Sequence, residues 1–100
     1  MPTYEVLPRF TADLQHLTPE QRRRFRRTVA AFVEDLRTGS FRAGLRVKRV
    51  QRASGVYELT WSMSTGPAGR ATWLYGREKL RGTHHIVWRR IGTHAILTGP

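Results

Sequence analysis

The chain has no cysteine, and only 7 of its 100 residues are acidic. The absence of thiols excludes disulfides, thiol catalysis and cysteine-based zinc sites. No apolar run approaches the roughly 20 residues that a membrane span requires. The first residues also lack the charged segment and apolar stretch of a signal peptide, so we expect a cytoplasmic protein with no membrane partner.

Basic residues dominate the charge: 18 Lys and Arg give a formal net charge of +11. Most of them are arginine, whose planar guanidinium binds phosphate through two hydrogen bonds. This charge favours a nucleic acid, a ribosome or an acidic protein as the partner, although a basic domain without a polyanionic ligand remains the alternative. With 39% hydrophobic residues, the chain predicts one folded domain over residues 1–100.

The N-terminal part predicts a short strand from Thr3 to Leu7 and then two helices. The first, shorter helix carries an apolar stripe of Phe10, Leu14 and Leu17. Thr18-Pro19-Glu20-Gln21 can start the second helix with a capping box, and Gly39 is a fitting end. Its buried stripe is predicted to be Phe25, Val29, Phe32, Val33 and Leu36. Its arginines predicted to be exposed are Arg22, Arg23, Arg26 and Arg27.

The remainder of the chain is dominated by strand-like runs, namely Val56 to Ser62, Arg70 to Tyr75 and His84 to Ile91. Leu45 to Val50 is a further strand or extended segment, and Ala95 to Leu97 follows a break at Gly92-Thr93. Consecutive strands with tight connections pair antiparallel. We therefore predict an α+β fold, with an antiparallel sheet of about four strands and two N-terminal helices packed on one face. The other sheet face should be partly open, and a ligand would bind there.

Several polar residues on these strands are suited to cutting RNA without a metal. A base removes the 2′-hydroxyl proton, an acid protonates the leaving 5′-oxygen, and cations hold the phosphate charge. Because imidazole exchanges protons near neutral pH, His94 is the candidate acid. Glu58 or an uncharged Lys48 is the candidate base. The candidate phosphate-binding cations are Arg46, Lys48, Arg49, Arg70 and Arg90.

Each candidate also has a structural interpretation. Glu58 can simply pair with Arg70 across two strands, Lys48 can be a solvated strand residue, and His94 can cap a strand end. Aromatic residues of the strands can stack on bases or belong to the core, and they are Trp61, Trp73 and Tyr75. We expect Trp61 at least to be buried.

We expect no metal and no cofactor. His84 and His85 are adjacent on a predicted strand, so they point to opposite faces and only one of them can join His94. No carboxylate pattern supports a metal site there, and no glycine-rich phosphate loop is visible.

Four stretches, taken in order, carry a family resemblance: the helical segment Phe10-x-x-Asp13-Leu14-x-x-Leu17 with the helix after it, Lys48 to Leu59, Gly69 to Tyr75, and Arg90 to Leu97. Over nearly its whole length the chain resembles the RelE/ParE superfamily of toxins from bacterial toxin–antitoxin modules. The resemblance implies a compact antiparallel sheet with two N-terminal helices and a short last strand. It also implies metal-independent cleavage of mRNA on the ribosome and a cognate antitoxin protein as partner.

By position, Arg70 resembles the family's phosphate-binding arginine, and His94 resembles its C-terminal histidine acid. Lys48 and Arg46 resemble the basic residues that precede the central strand. Three departures are Ala95, where a tyrosine is common, Glu58 on a strand that often carries basic residues, and a loop from Gly76 to Thr83 that is longer than usual. The ParE branch shares the fold but inhibits DNA gyrase, so a non-nucleolytic gyrase inhibitor is the alternative, as is a non-toxic domain that binds nucleic acid.

Overall fold

The computed structural model describes residues 2–64 and 66–100, and Met1 and Thr65 lie outside the described residues. The elements, in chain order, are β1 (Thr3–Val6), α1 (Pro8–Gln15), α2 (Pro19–Thr38), β2 (Lys48–Arg49), β3 (Val56–Trp61), β4 (Gly69–Gly76) and β5 (His85–Gly92). Short 3₁₀ helices at Ala43–Leu45 and His94–Thr98 precede β2 and follow β5. In the described part of the chain, no helix is long and apolar enough to cross a membrane.

The strands form one mixed sheet in the order β1-β5-β4-β3-β2. The predicted α+β class is confirmed, but the sheet has five strands and is not wholly antiparallel. β1 lies parallel to β5, with Thr3 opposite His85, whereas the other neighbours are antiparallel. The rule for tight connections applies to β3, β4 and β5. It says nothing about β1, which pairs with a strand more than 80 residues further along the chain.

Helix α2 begins and ends where its sequence predicts. The Thr18 hydroxyl accepts a hydrogen bond from the Gln21 amide at 3.1 Å, and the Gln21 side chain accepts one from the Thr18 amide at 2.9 Å. Pro19 occupies the first turn, where its missing amide proton costs nothing. Gly39 ends the helix with φ +82°, a left-handed conformation that glycine adopts without strain.

Both helices pack on the same sheet face, around Trp88 of β5. The rings of Phe10, Phe25 and Phe32 lie 5.9, 5.6 and 5.2 Å from it, measured between ring centroids. Burying one such side chain stabilises the fold by about 1.5–3 kcal/mol. The predicted core stripe of α2 is therefore the face that binds the sheet. Its arginines point outward: Arg23, Arg26 and Arg27 are exposed, and Arg22 is half-buried.

Two predicted strands are wrong in part. Leu45 to Val50 is not one strand, because Arg46 has φ +48° and ends a 3₁₀ turn, which leaves only Lys48 and Arg49 in the sheet. The segment around Ala95 is not a short last strand. It belongs to the 3₁₀ helix, whose start is fixed by the hydrogen bond from the Ala95 amide to the Thr93 hydroxyl at 3.2 Å.

The sheet face opposite the helices is open only at its rim. Val56, Glu58 and Thr72 near its centre are buried. Ile96 of the C-terminal 3₁₀ helix packs against Gly92 on this face. The contact is so close that a Cβ added to Gly92 would come within 3.0 Å of Ile96 Cγ2. The expected ligand face is thus narrower than the sequence predicts.

Candidate functional site

The candidate site is a row of polar side chains across three strands on the face opposite the helices. Lys48 of β2 lies opposite Glu58 of β3, and Glu58 lies opposite Thr72 of β4. Arg70 lies two residues before Thr72, so it belongs to the same face of β4. The sequence predicted that adjacent strands bring Glu58 and Arg70 together, and the register confirms it.

Glu58 is a buried carboxylate beside two cations. It is only 4% exposed, its Oε1 lies 3.5 Å from Arg70 Nε, and Lys48 Nζ lies 4.0 Å away. Neither Glu58 Oε1 nor Arg70 Nε makes a hydrogen bond within the described residues, although both atoms are buried. A buried carboxylate usually accepts several hydrogen bonds, because leaving a charged oxygen unsatisfied costs more than the bond itself contributes. Glu58 Oε1 can therefore still accept a hydrogen bond, and Arg70 Nε can still donate one.

Arg70 is held by its own backbone environment. Its Nη1 donates to the carbonyl oxygens of Ala68 and Gly69 at 3.3 and 3.2 Å, and its carbonyl accepts from Trp61 Nε1 at 3.2 Å. The Arg70 side chain is 20% exposed, whereas that of Lys48 is 67% exposed. Because Lys48 is the loosely held cation, it can move aside for a ligand while Arg70 stays in place.

His94 lies at the same end of the sheet as Arg70. It is exposed and begins the C-terminal 3₁₀ helix, two residues after Gly92, which is opposite Arg70 in the β4–β5 register. That helix packs on the Arg70 face through Ile96. A joint grip of Arg70 and His94 on one phosphate stays a prediction.

Arg90 is placed in a role that the sequence did not predict. Its Nε and Nη2 donate to the two carboxylate oxygens of Asp13 at 2.7 and 3.2 Å, and its Nη1 donates to the Gly99 carbonyl at 2.9 Å. Asp13 also accepts from the Ile91 amide at 3.0 Å. Burial opposes ionisation of Asp13, but the bonds from Arg90 and Ile91 and the charge of Arg90 outweigh it and lower the carboxyl's pKa. The arginine predicted to bind phosphate instead joins α1, β5 and the C-terminal segment.

The other two predicted cations do not join the Glu58 row. Arg49 is opposite Tyr57 and therefore on the helix-bearing face, where its guanidinium lies 5.8 Å from the Tyr57 ring centroid. Arg46 is exposed in its left-handed turn. Of the predicted site residues, the structure brings together Lys48, Glu58 and Arg70, places His94 nearby, and leaves Arg46 and Arg49 outside the row. Arg90 lies opposite Thr72 at the end of the row, but its guanidinium is bonded to Asp13 and Gly99.

Sequence reasoning missed one further polar group. His85 is 4% exposed, and its ring nitrogens lie 2.7 Å from Thr3 Oγ1 and 2.8 Å from Glu5 Oε1. These contacts fasten β1 to β5. This role of His85 could not be predicted because it depends on the pairing of β1 with β5. The alternation of residues along either strand does not show which strands are neighbours in the sheet.

Within residues 2–64 and 66–100, no group of three or more His, Cys, Asp or Glu side chains is placed to hold a metal ion. No protein-family model matches the chain, and no curated protein or solved structure matches it either.

Proposed function

We propose that the protein is a metal-independent endoribonuclease that cuts mRNA on the ribosome and serves as the toxin of a toxin–antitoxin module. The observation that carries the proposal is the buried Glu58 carboxylate, whose free Oε1 lies 3.5 Å from Arg70 Nε. A base and a phosphate-binding cation at van der Waals distance are what transfer within an RNA phosphodiester requires, and the Arg70 side chain, 20% exposed, is the member of the pair that solvent reaches.

The reaction uses three side chains. Glu58 accepts the proton of a ribose 2′-hydroxyl, and the 2′-oxygen forms a bond to the adjacent phosphorus. Arg70 holds the extra negative charge on the non-bridging oxygens as the phosphorus becomes pentacoordinate. The bond from phosphorus to the 5′-oxygen then breaks, and His94 donates a proton to that oxygen. The products are a 2′,3′-cyclic phosphate and a free 5′-hydroxyl.

Charge supports the choice of substrate. The formal net charge of +11 attracts a polyanion, and the loosely held Lys48 stands at the entrance to the row. Lys48 Nζ lies 4.0 Å from Glu58 Oε1 and can turn to a flanking phosphate when the strand binds. Its loss should therefore weaken binding more than it slows the chemical step.

An acidic antitoxin fits a second surface. An apolar groove of about 810 Å³ lies between β1, α1 and α2, with exposed Tyr4 and Val6 on one side. Arg22 and Arg26 stand on the opposite wall. An amphipathic helix with apolar and acidic faces would complement this groove. The neighbouring reading frame should then encode a small acidic protein that neutralises toxicity, and Val6→Asp should weaken that complex; full binding by Val6→Asp would place the partner elsewhere.

The test is cleavage of mRNA on translating ribosomes by purified protein and its variants. Arg70→Ala should slow cleavage roughly a hundredfold to a thousandfold, as the loss of one oxyanion donor does. His94→Ala and Glu58→Gln should each slow it by about a hundredfold or more. Arg27→Ala is the matched control, because it removes an equal charge from an exposed position on α2.

Melting curves establish that each variant is folded before its rate is interpreted. If His94→Ala cuts as fast as the unmodified protein, the acid lies elsewhere. If none of the three substitutions alters cleavage, or no cleavage occurs, the proposal fails. Inhibition of DNA supercoiling by gyrase would then indicate the ParE-like alternative, and binding of nucleic acid without either effect would indicate a non-toxic domain.

A further inference from the structure

A second group of residues lies on the helix-bearing face of the sheet, with one end near the C-terminal end of α2. Four planar side chains cross the sheet there as a continuous strip: Arg49, Tyr57, Tyr75 and His84. The Arg49 guanidinium lies 5.8 Å from the Tyr57 ring centroid, and the Tyr57–Tyr75 and Tyr75–His84 centroid distances are both 5.4 Å. We call these four residues the planar strip.

The register explains the alignment. Arg49 is opposite Tyr57, Tyr57 is opposite Trp73, and Tyr75 follows Trp73 by two residues on the same face of β4. Tyr57 is held between neighbours, since Trp73 stacks on it at 5.7 Å with an interplanar angle of 22° and Arg49 covers it from the other strand. The strip therefore has a rigid centre, because Trp73 itself is completely buried. Glu58 points to the opposite face of β3.

Three of the four members of the strip are accessible. Tyr75 is 39% exposed, and Arg49 and His84 are also exposed. Burial of the phenol and the neighbouring Tyr57 raise the pKa of Tyr75, so its ring is uncharged at neutral pH and does not repel anions.

Cations surround this end of the sheet. The loop between β4 and β5 begins two residues after Tyr75 and carries Arg77, Lys79 and Arg81, all exposed, against a single acid, Glu78. Arg37 at the end of α2 lines the same surface cavity as His84, together with Glu34. Positive charge thus prevails where the planar side chains are exposed.

We propose that the planar strip is a binding site for single-stranded RNA, with bases stacked on Tyr75, His84 and the Arg49 guanidinium, and phosphates held by the cations of the β4–β5 loop. Proteins bind unpaired nucleotides by stacking the bases on flat side chains and holding the phosphates with nearby cations. The planar strip and the loop beside it provide both. The planar guanidinium of an arginine can stack on a base, as an aromatic ring does. Arg49 therefore extends the stacking surface of the planar strip. A duplex has no free base faces and should bind through its charge alone.

The site lies on the other face from the Glu58 row, so it does not depend on the proposed cleavage. It gives the protein a way to hold a strand without cutting it. The chain also supplies its own control: Tyr4 is a tyrosine 71% exposed on β1, opposite Ile86, and its ring makes none of the contacts that build the strip.

The experiment measures the fluorescence anisotropy of labelled ten-nucleotide uridine RNA with purified protein at physiological salt. Tyr75→Ala should weaken binding roughly fivefold to a hundredfold, the usual effect of losing one stacking ring. Tyr75→Phe should bind like the unmodified protein, because it keeps the ring. Tyr75→Leu should behave like Tyr75→Ala, because it keeps apolar surface but not a flat face. Tyr4→Ala should leave affinity unchanged.

Circular dichroism of each variant separates lost binding from lost structure. A matched thymidine DNA strand should show the same dependence on Tyr75, and a ten-base-pair RNA duplex should not. The proposal is overturned if Tyr75→Ala binds the single strand normally, if Tyr4→Ala weakens binding as much, or if the duplex is as sensitive to Tyr75. Glu58→Gln should cut poorly yet bind the strand, so the failure of either proposal can be recognised without the other.

Discussion

The bond network of Asp13 gives the sharpest stability prediction, and it tests the reassignment of Arg90. Asp13→Asn keeps the size of the side chain but removes its charge and one acceptor oxygen. In the structure that carboxylate accepts three hydrogen bonds, at 2.7, 3.2 and 3.0 Å. Both members of the pair are largely buried, with side-chain exposures of 17% for Arg90 and 15% for Asp13.

A hydrogen bond to a charged group contributes about 1.5–3 kcal/mol. Because asparagine can still accept from one donor, and Arg90 keeps its bond to Gly99, we expect a loss near the lower end, about 2 kcal/mol. For a domain of this size that corresponds to a melting temperature lower by roughly 8–16 °C. Cleavage per folded molecule should be unaffected.

The pH dependence follows from the lowered pKa of Asp13. A carboxyl whose pKa is lower in the folded state contributes stability above its unfolded pKa, about 3.9, and loses it as the pH falls through the folded value. The difference between the unmodified protein and Asp13→Asn should therefore be full at pH 7 and vanish in strong acid. Fluorescence of the buried Trp61, Trp73 and Trp88 during urea denaturation measures both.

Glu20→Gln is the matched control, since Glu20 pairs with Arg23 and Arg24 on the exposed start of α2 and should have little effect. If Asp13→Asn is as stable as the unmodified protein at pH 7, or if the deficit persists unchanged in strong acid, Arg90 is not a structural residue. Its assignment as a phosphate ligand would then have to be restored.

Three further predictions concern a close contact, a helix cap and the overall charge. Gly69→Ala should destabilise the fold by about 1–3 kcal/mol, because the new Cβ would lie 2.7 Å from the Trp61 ring, whereas Gly44→Ala meets no atom within 4 Å and should be tolerated. Thr18→Ala should cost about 1 kcal/mol in urea denaturation by opening the capping box of α2. Affinity for ribosomes should fall steeply between low and physiological salt, and a flat response would mean that the charge serves another partner.

Local elements of the fold could be predicted from the sequence, because the residues that specify them are close together in the chain. Helix α2 is specified locally: Thr18, Pro19 and Gly39 act within one turn of their own positions, so its bounds could be predicted. The β3–β4 hairpin is nearly as local, and its register put Glu58 and Arg70 on one face as expected. Tight connections leave few alternative pairings.

What could not be predicted depends on contacts between distant segments. The parallel pairing of β1 with β5 and the bond from Asp13 to Arg90 join residues more than 70 positions apart. An arginine on a strand looks the same in the sequence whether it faces solvent or a carboxylate of a helix. Composition could therefore identify Arg90 as a cation, but only the fold shows that its charge is already paired.

The short edge strand β2 links the two proposed sites. Lys48 and Arg49 are adjacent, so they point to opposite faces of the sheet: Lys48 toward Glu58 and Arg49 toward Tyr57. Because β2 is two residues long and has no further neighbour in the described sheet, its outer edge is where the two faces meet. A strand held on the planar strip at Arg49 reaches the Glu58 row by passing around this one edge, with a cation on each side of it. Binding on one face and cleavage on the other are therefore compatible with a single RNA chain.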